Sequence, residues 1–265
     1  MLSQTSDGLR SDSSTSDCES VYSSWDGSRF RRVVPADKPI PPLALTAFNG
    51  LLDHIRNETF SCIGAKAALN SGLFRTGFYS EMNLASTTRT LAGDLTSFVR
   101  EQGAAGSNYS SFAAIFAAPQ IEDELSWERM LWKQLNDLHA LDAPVFDWDP
   151  SVSGDPADPT FSFSFARTGF FIVGLNPQSS RLARRFPWAT LVFNPHAQFE
   201  RLRETKQFDR LQQAIRAREI ALQGSLNPNL SSFGEESEAR QYSGRPVDEK
   251  WKCPFHSLRA KLAFK

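Results

Sequence analysis

Three cysteines and four histidines are the side chains in this 265-residue chain best suited to ligating a metal. Three of them lie where local sequence could aim or activate them. His196, in Asn194-Pro195-His196, follows an expected strand and opens an expected helix, and Pro195 restricts the backbone before it. Its imidazole could ligate a metal; the plainer alternative is a helix-entry residue bonded to nearby backbone. Cys253 sits in Trp251-Lys252-Cys253-Pro254-Phe255, where Lys252 and His256 could favour the thiolate that metal ligation requires. A buried structural thiol is the alternative there. Cys62, in Ser61-Cys62-Ile63-Gly64, stands near an expected helix start, whose dipole favours the thiol anion.

The second half is rich in polar groups set in special-geometry loops. It reads GFFIVGLNPQSSRLARRFPWATLVFNPHAQFERLR from Gly169, then IALQGSLNPNLSSFGEESEARQYSGR, then WKCPFH. Loops of this kind on a rigid scaffold commonly carry function. Gln223 and Asn227 flank Gly224, so their amides could hold a polar ligand, or the string could simply cap the preceding helix. Glu235, Glu236 and Glu238 could pair with a cationic ligand or form an ordinary acidic loop.

The elements that must position these groups read as a mixture of helix and strand. Residues 1–35 are Ser-, Asp- and Thr-rich with few large aliphatics, predicting a disordered tail, and residues 36–265 form the expected single domain. A helical stripe runs through Leu43, Leu45, Phe48, Leu51, Leu52 and Ile55. Further helices are expected at 84–101, 122–142 and 197–222, and strands at 73–82, 112–117, 170–175 and 189–193. Phe161, Phe163 and Phe165 alternate with Ser162 and Ser164, the pattern of a half-buried strand. The expected class is α/β, or α+β, with a central mixed sheet flanked by helices.

Composition narrows the partners. Lys+Arg 29 against Asp+Glu 30 leaves a net charge of −1, so no global basic field attracts nucleic acid or anionic membrane. No apolar run approaches the roughly 18–20 residues that span a bilayer. An odd cysteine count at wide spacing argues against a disulfide scaffold and for a reducing cytoplasm. With 21 Phe and 6 Trp against 4 Tyr, the aromatic surface is mostly apolar and could line a dry pocket, or simply fill a core.

The strings from Gly169 to Phe255, together with SCIGAKAAL from Ser61, closely resemble the YqcI/YcgG-like family. The likeness runs from about Phe60 to His256. That family includes heme-dependent N-hydroxylases of guanidines and related amines, including the guanitoxin-pathway type. The resemblance therefore implies a heme monooxygenase that hydroxylates nitrogen in a small, arginine-like guanidine or amine. It would use O2 or peroxide and an external electron donor. Its iron would take His196, Cys253 or Cys62 as axial ligand, in that order of expectation. Without a Cys-x-x-Cys-His string the heme would be a dissociable b-type. Arg181, Arg184, Arg185, Arg240 and Arg245 are the candidates to hold its propionates, since the guanidinium fork suits carboxylates. Gln223, Asn227 and Glu238 are the candidates to hold substrate. A heme carrier or sensor without turnover is the alternative. A zinc site from Cys253, His256 and Cys62, and a hydrolase lacking a G-x-S-x-G elbow, are weaker readings.

Overall fold

Alternation along the strands divides the core into two layers. In the strand Ser111–Ala118, Phe112, Ala114 and Phe116 pack into one cluster while Ala113 and Ile115 pack into the other. The computed structural model describes residues 20–105 and 109–257. Its strands are β1 Val21–Trp25, β2 Phe30–Val34, β3 Phe74–Glu81, β4 Ser111–Ala118, β5 Phe163–Phe165, β6 Thr168–Leu175 and β7 Ala189–Pro195. They form one mixed sheet in the order β2-β1-β3-β4-β7-β6-β5. Only β3 and β4 run parallel, from Phe74 opposite Ser111 to Glu81 opposite Ala118. The crossover that a parallel pair needs is supplied by helix α3 (Ala85–Ala105), which lies between them in sequence.

Helices cover both faces. On the first, Leu91, Leu95 and Phe98 of α3 meet Trp127, Leu131, Leu135 and Leu138 of α4 (Glu124–Asp142) over the sheet. Asp123 starts α4 with a capping box shared with Ser126. On the second face, α1 (Pro42–Arg56) begins with Pro42, as helices tolerate at their first position, and buries Phe48, Leu51, Leu52 and Ile55. Beside it lie α2 (Ile63–Asn70), α5 (His196–Glu204) and α6 (Phe208–Gln223). The last helix, α7 (Ala239–Tyr242), packs its buried Tyr242 into the first cluster.

The mixed sheet flanked by helices agrees with the expected class, with three local differences. The tail expected over residues 1–35 forms two antiparallel strands, β1 and β2, and Val21, Tyr22 and Trp25 are buried; residues 1–19, including Cys18, lie outside the described residues. The single helix expected over 197–222 is broken into α5 and α6, with Lys206 between them in the left-handed region at φ 56°. The half-buried strand around Phe163 is buried on both sides. Ser162 is tolerated there because its hydroxyl donates to Glu238 (2.6 Å), and Ser164 because it accepts from the Asp149 amide (2.9 Å).

Candidate functional site

On the second face the sheet and helices do not close on each other. A cavity of about 300 Å³ remains, floored by residues such as Phe74, Ala113, Val173, Leu175 and Val192 and roofed by α1, α2, α5 and α6. Its floor is what period-2 alternation puts on that face of β3, β4, β6 and β7. The walls are largely apolar, and the few polar groups are therefore informative.

Cys62 is one of them. It is the N-cap of α2, and its Sγ accepts a hydrogen bond from the Ala65 amide at 3.4 Å. Burial raises the thiol pKa, while the Ala65 and Gly64 amides and the Arg184 charge act in the opposite direction. His54 reaches the same cavity from α1, and its Nε2 lies 3.0 Å from the Ala183 carbonyl. A carbonyl only accepts, so Nε2 carries the proton and Nδ1 is the basic nitrogen. Burial lowers the pKa of His54, which favours the neutral ring.

The segment after β6 contributes arginines. Arg184 ends a 3-10 turn at Leu182–Arg184, and its Nη1 donates to the Tyr242 carbonyl at 3.0 Å. Burial lowers its pKa to about 10, with Glu219 and Cys62 opposing the shift. Arg181 is buried and donates to Glu219 through Nε (3.1 Å) and to the Ser225 hydroxyl (3.2 Å) and carbonyl (2.6 Å). Glu219 and Arg216 come from the inner side of α6, with Leu211 and Ile215.

Of the residues singled out from sequence, Cys62, Arg181, Arg184 and Asn227 meet at this cavity. Asn227 also accepts from the Asn229 amide at 3.0 Å. The others lie elsewhere. His196 is buried at the start of α5 with its ring 4.3 Å from that of Phe233, and burial lowers its pKa. Cys253 packs against the first cluster, on the face opposite to Cys62, and burial pushes its thiol up to about 12 against the opposing hydrogen bond from the Phe255 backbone. A zinc site joining Cys62 to Cys253 and His256 therefore has no common centre. Among the described residues no group of three or more His, Cys, Asp or Glu side chains could hold a metal ion.

The remaining candidates have structural partners. Arg185 donates to the Ser179 carbonyl (2.9 Å), Arg240 to that of Asp248 (2.9 Å), and Arg245 to the buried Glu128 (3.0 Å). Gln223 ties the end of α6 to the 3-10 turn, donating to Ser180 O (3.0 Å) and accepting from the Leu182 amide (2.7 Å). Gly224 follows it in the left-handed region at φ 78°, the helix C-cap expected from sequence. Glu238 accepts from Ser162 and Tyr242, both at 2.6 Å, and burial raises its carboxyl to about 8. His54, Arg216 and Glu219 were not singled out from sequence. Each sits on an ordinary helical stripe, and only the meeting of α1 and α6 over the sheet gives it a common purpose.

Comparison with known proteins decides the family. The YqcI/YcgG family profile matches residues 51–256. The chain belongs to the YqcI/YcgG family. Among the relatives of this YqcI/YcgG protein, YqcI of Bacillus subtilis (strain 168) is 29% identical over 238 residues, covering 83% of this chain and 90% of that one. YcgG of the same organism is 29% identical over 213 residues, covering 76% and 83%. Both carry names that describe no activity. No solved structure gives a significant match. The match begins inside α1 and takes in every element that lines the cavity. No helix among the described residues is long and apolar enough to cross a membrane.

Proposed function

We propose that this YqcI/YcgG protein is a heme-dependent monooxygenase that hydroxylates a nitrogen of a small guanidine or amine, with its b-type heme in the cavity over the second face. One observation carries the reading: a thiol, Cys62, stands in a largely apolar cavity beside arginine side chains. That donor set fits the group. A cysteine thiolate is a known axial ligand of oxygen-activating heme, apolar walls suit the macrocycle, and guanidinium forks suit its propionates.

Cys62 is the residue that would hold the iron, since His196 and Cys253 do not line the cavity. The Ala65 amide orients its sulfur. The apolar floor excludes water from the reacting nitrogen. His54, neutral with Nδ1 unprotonated, can take the proton that a cationic guanidinium or ammonium sheds to free its nitrogen lone pair before oxygen is delivered. Bound heme would supply oxygen activation and delivery of one oxygen atom to nitrogen. With O2 as oxidant the second oxygen leaves as water, using two electrons and two protons from an external donor; peroxide would need no donor.

Hemin titration followed by reduction under CO tests the reading. The expected result is stoichiometric binding with the red-shifted band of a thiolate ligand, lost in C62S and kept in H196A. N-hydroxy product should form from an arginine-like guanidine with a reductase or peroxide. Absence of a Soret band in the folded wild type would overturn the reading. An imidazole-type spectrum retained in C62S would move the ligand, and heme binding without turnover of any guanidine or amine would leave a carrier or sensor.

A further inference from the structure

The charges on the cavity wall do not balance. Three arginines, Arg181, Arg184 and Arg216, line it against one carboxylate, Glu219. Glu219 is already committed, because Arg181 takes its Oε1 through both Nε and Nη2. Arg181 in turn spends further donors on Ser225. That leaves two guanidinium groups with no carboxylate of their own on the wall.

Neither is well provided for. Arg184 reaches only a backbone carbonyl, that of Tyr242, and burial lowers its pKa even with Glu219 and Cys62 nearby. Arg216 turns inward from α6, and its buried Nε has no hydrogen-bond partner among the described residues. A cation half-buried in a largely apolar wall gains from an anion that meets it, so Arg184 and the unpartnered Nε of Arg216, lining one cavity, mark where an anion belongs. Arg184 is also held in position: Tyr242 O takes one end of the fork, and a Cβ on Gly244 would lie 2.7 Å from the Arg184 Cδ.

The geometry points to an anion subsite: we infer that Arg184 and Arg216 together receive an oxyanion group, such as a carboxylate, on a ligand whose body is apolar. The body would lie among Leu51, Ile55, Phe74, Val173, Leu175 and Leu211. Heme propionates are one source of such a group, and a separate organic acid is another. Where the source is heme, the inference rests on the function proposed above.

Two pairs of probes test it by binding alone. The dye 1-anilinonaphthalene-8-sulfonate and N-phenyl-1-naphthylamine share one apolar body, and only the first carries an anion. The folded wild type should bind the sulfonate about tenfold more tightly than the neutral dye, the effect of one charge-assisted contact. R216Q, on a helix with no fully buried residue and with its fold checked by circular dichroism, should abolish most of that preference and leave neutral-dye binding within about twofold. R184Q should do the same, with its fold checked by circular dichroism. Equal binding of the two dyes, no binding of either, or a preference unchanged in R216Q would each overturn the inference. Hemin against hemin dimethyl ester then assigns the source. Hemin preferred in the wild type but not in R216Q identifies propionates. A dye preference that needs Arg216, with hemin unbound or indifferent to R216Q, upholds the subsite for an organic acid. Of those two results, unbound hemin removes the heme reading as well.

Discussion

Gly244 and Arg184 fit together as cradle and occupant: the glycine, at φ 84°, has no Cβ where the arginine's Cδ passes, and a Cβ there would stand 2.7 Å away. The C-terminal segment thus fixes a side chain on the cavity wall even though Gly244 itself is not part of that wall. The substitution G244A would combine left-handed strain with a steric collision. A loss of about 1–3 kcal/mol is expected in urea unfolding, with weaker sulfonate-dye binding as Arg184 is displaced.

Glu238 gives the protein an unusual dependence on pH. Burial raises its carboxyl from 4.5 to about 8, against the hydrogen bonds from Ser162 and Tyr242 that lower it. Between those values the folded protein keeps a proton that the unfolded chain has released. Glu238 therefore stabilises the fold most at low pH, and this contribution is lost as pH rises through the window, by at most about 1.4 kcal/mol per pH unit. E238Q should flatten this fall in denaturation curves collected across the neutral range. An unchanged slope would mean that Glu238 is ionised in the fold.

The C-terminal segment is also tied down by a buried ion pair. Arg245 donates to Glu128, which is 4% exposed and also accepts from Ser243 at 3.2 Å. Replacing Arg245 alone strands that carboxylate, so R245M should cost about 2–4 kcal/mol. Adding E128M should return part of the loss, and a double-mutant cycle with no coupling would refute the pairing.

Gln223 is expected to act on α6 rather than on the cavity's chemistry. No residue of α6 is fully buried, and Gln223 joins its last turn to Ser180 and Leu182 by two hydrogen bonds. Q223A should lower stability by about 1–2 kcal/mol and speed amide exchange along α6. The spectrum of bound hemin should not move. Exchange unchanged from the wild-type rate would show that the two Gln223 bonds do not hold the helix.

Much of the fold was legible because its strands and long helices carry clean periodicity. The alternation of Phe112, Ala114 and Phe116 and the stripe of Trp127, Leu131, Leu135 and Leu138 each report a face. Val21-Tyr22-Ser23-Ser24-Trp25 was hidden by the serines around it, and Ser23 is fully buried in β1. Lys206 gives no sign in its residue type of the left-handed turn that breaks α5 from α6. Cys62 could be recognised as a thiol near a helix start. Its cavity could not, because Arg184, His54 and Glu219 come from separate elements that only tertiary packing brings together.

The strand order carries a consequence for how the cavity comes into being. Residues 21–118 supply β2-β1-β3-β4 and residues 163–195 supply β7-β6-β5, so within the sheet the two halves of the chain touch along a single seam, β4 against β7. Ala113 and Val192, opposite each other across that seam, both belong to the cavity floor. Cutting the chain in the loop before β5 would give two fragments with contiguous pieces of sheet, neither of which has a complete floor. Ligand capture would then report fragment complementation directly, as a split protein whose signal is its own reassembly.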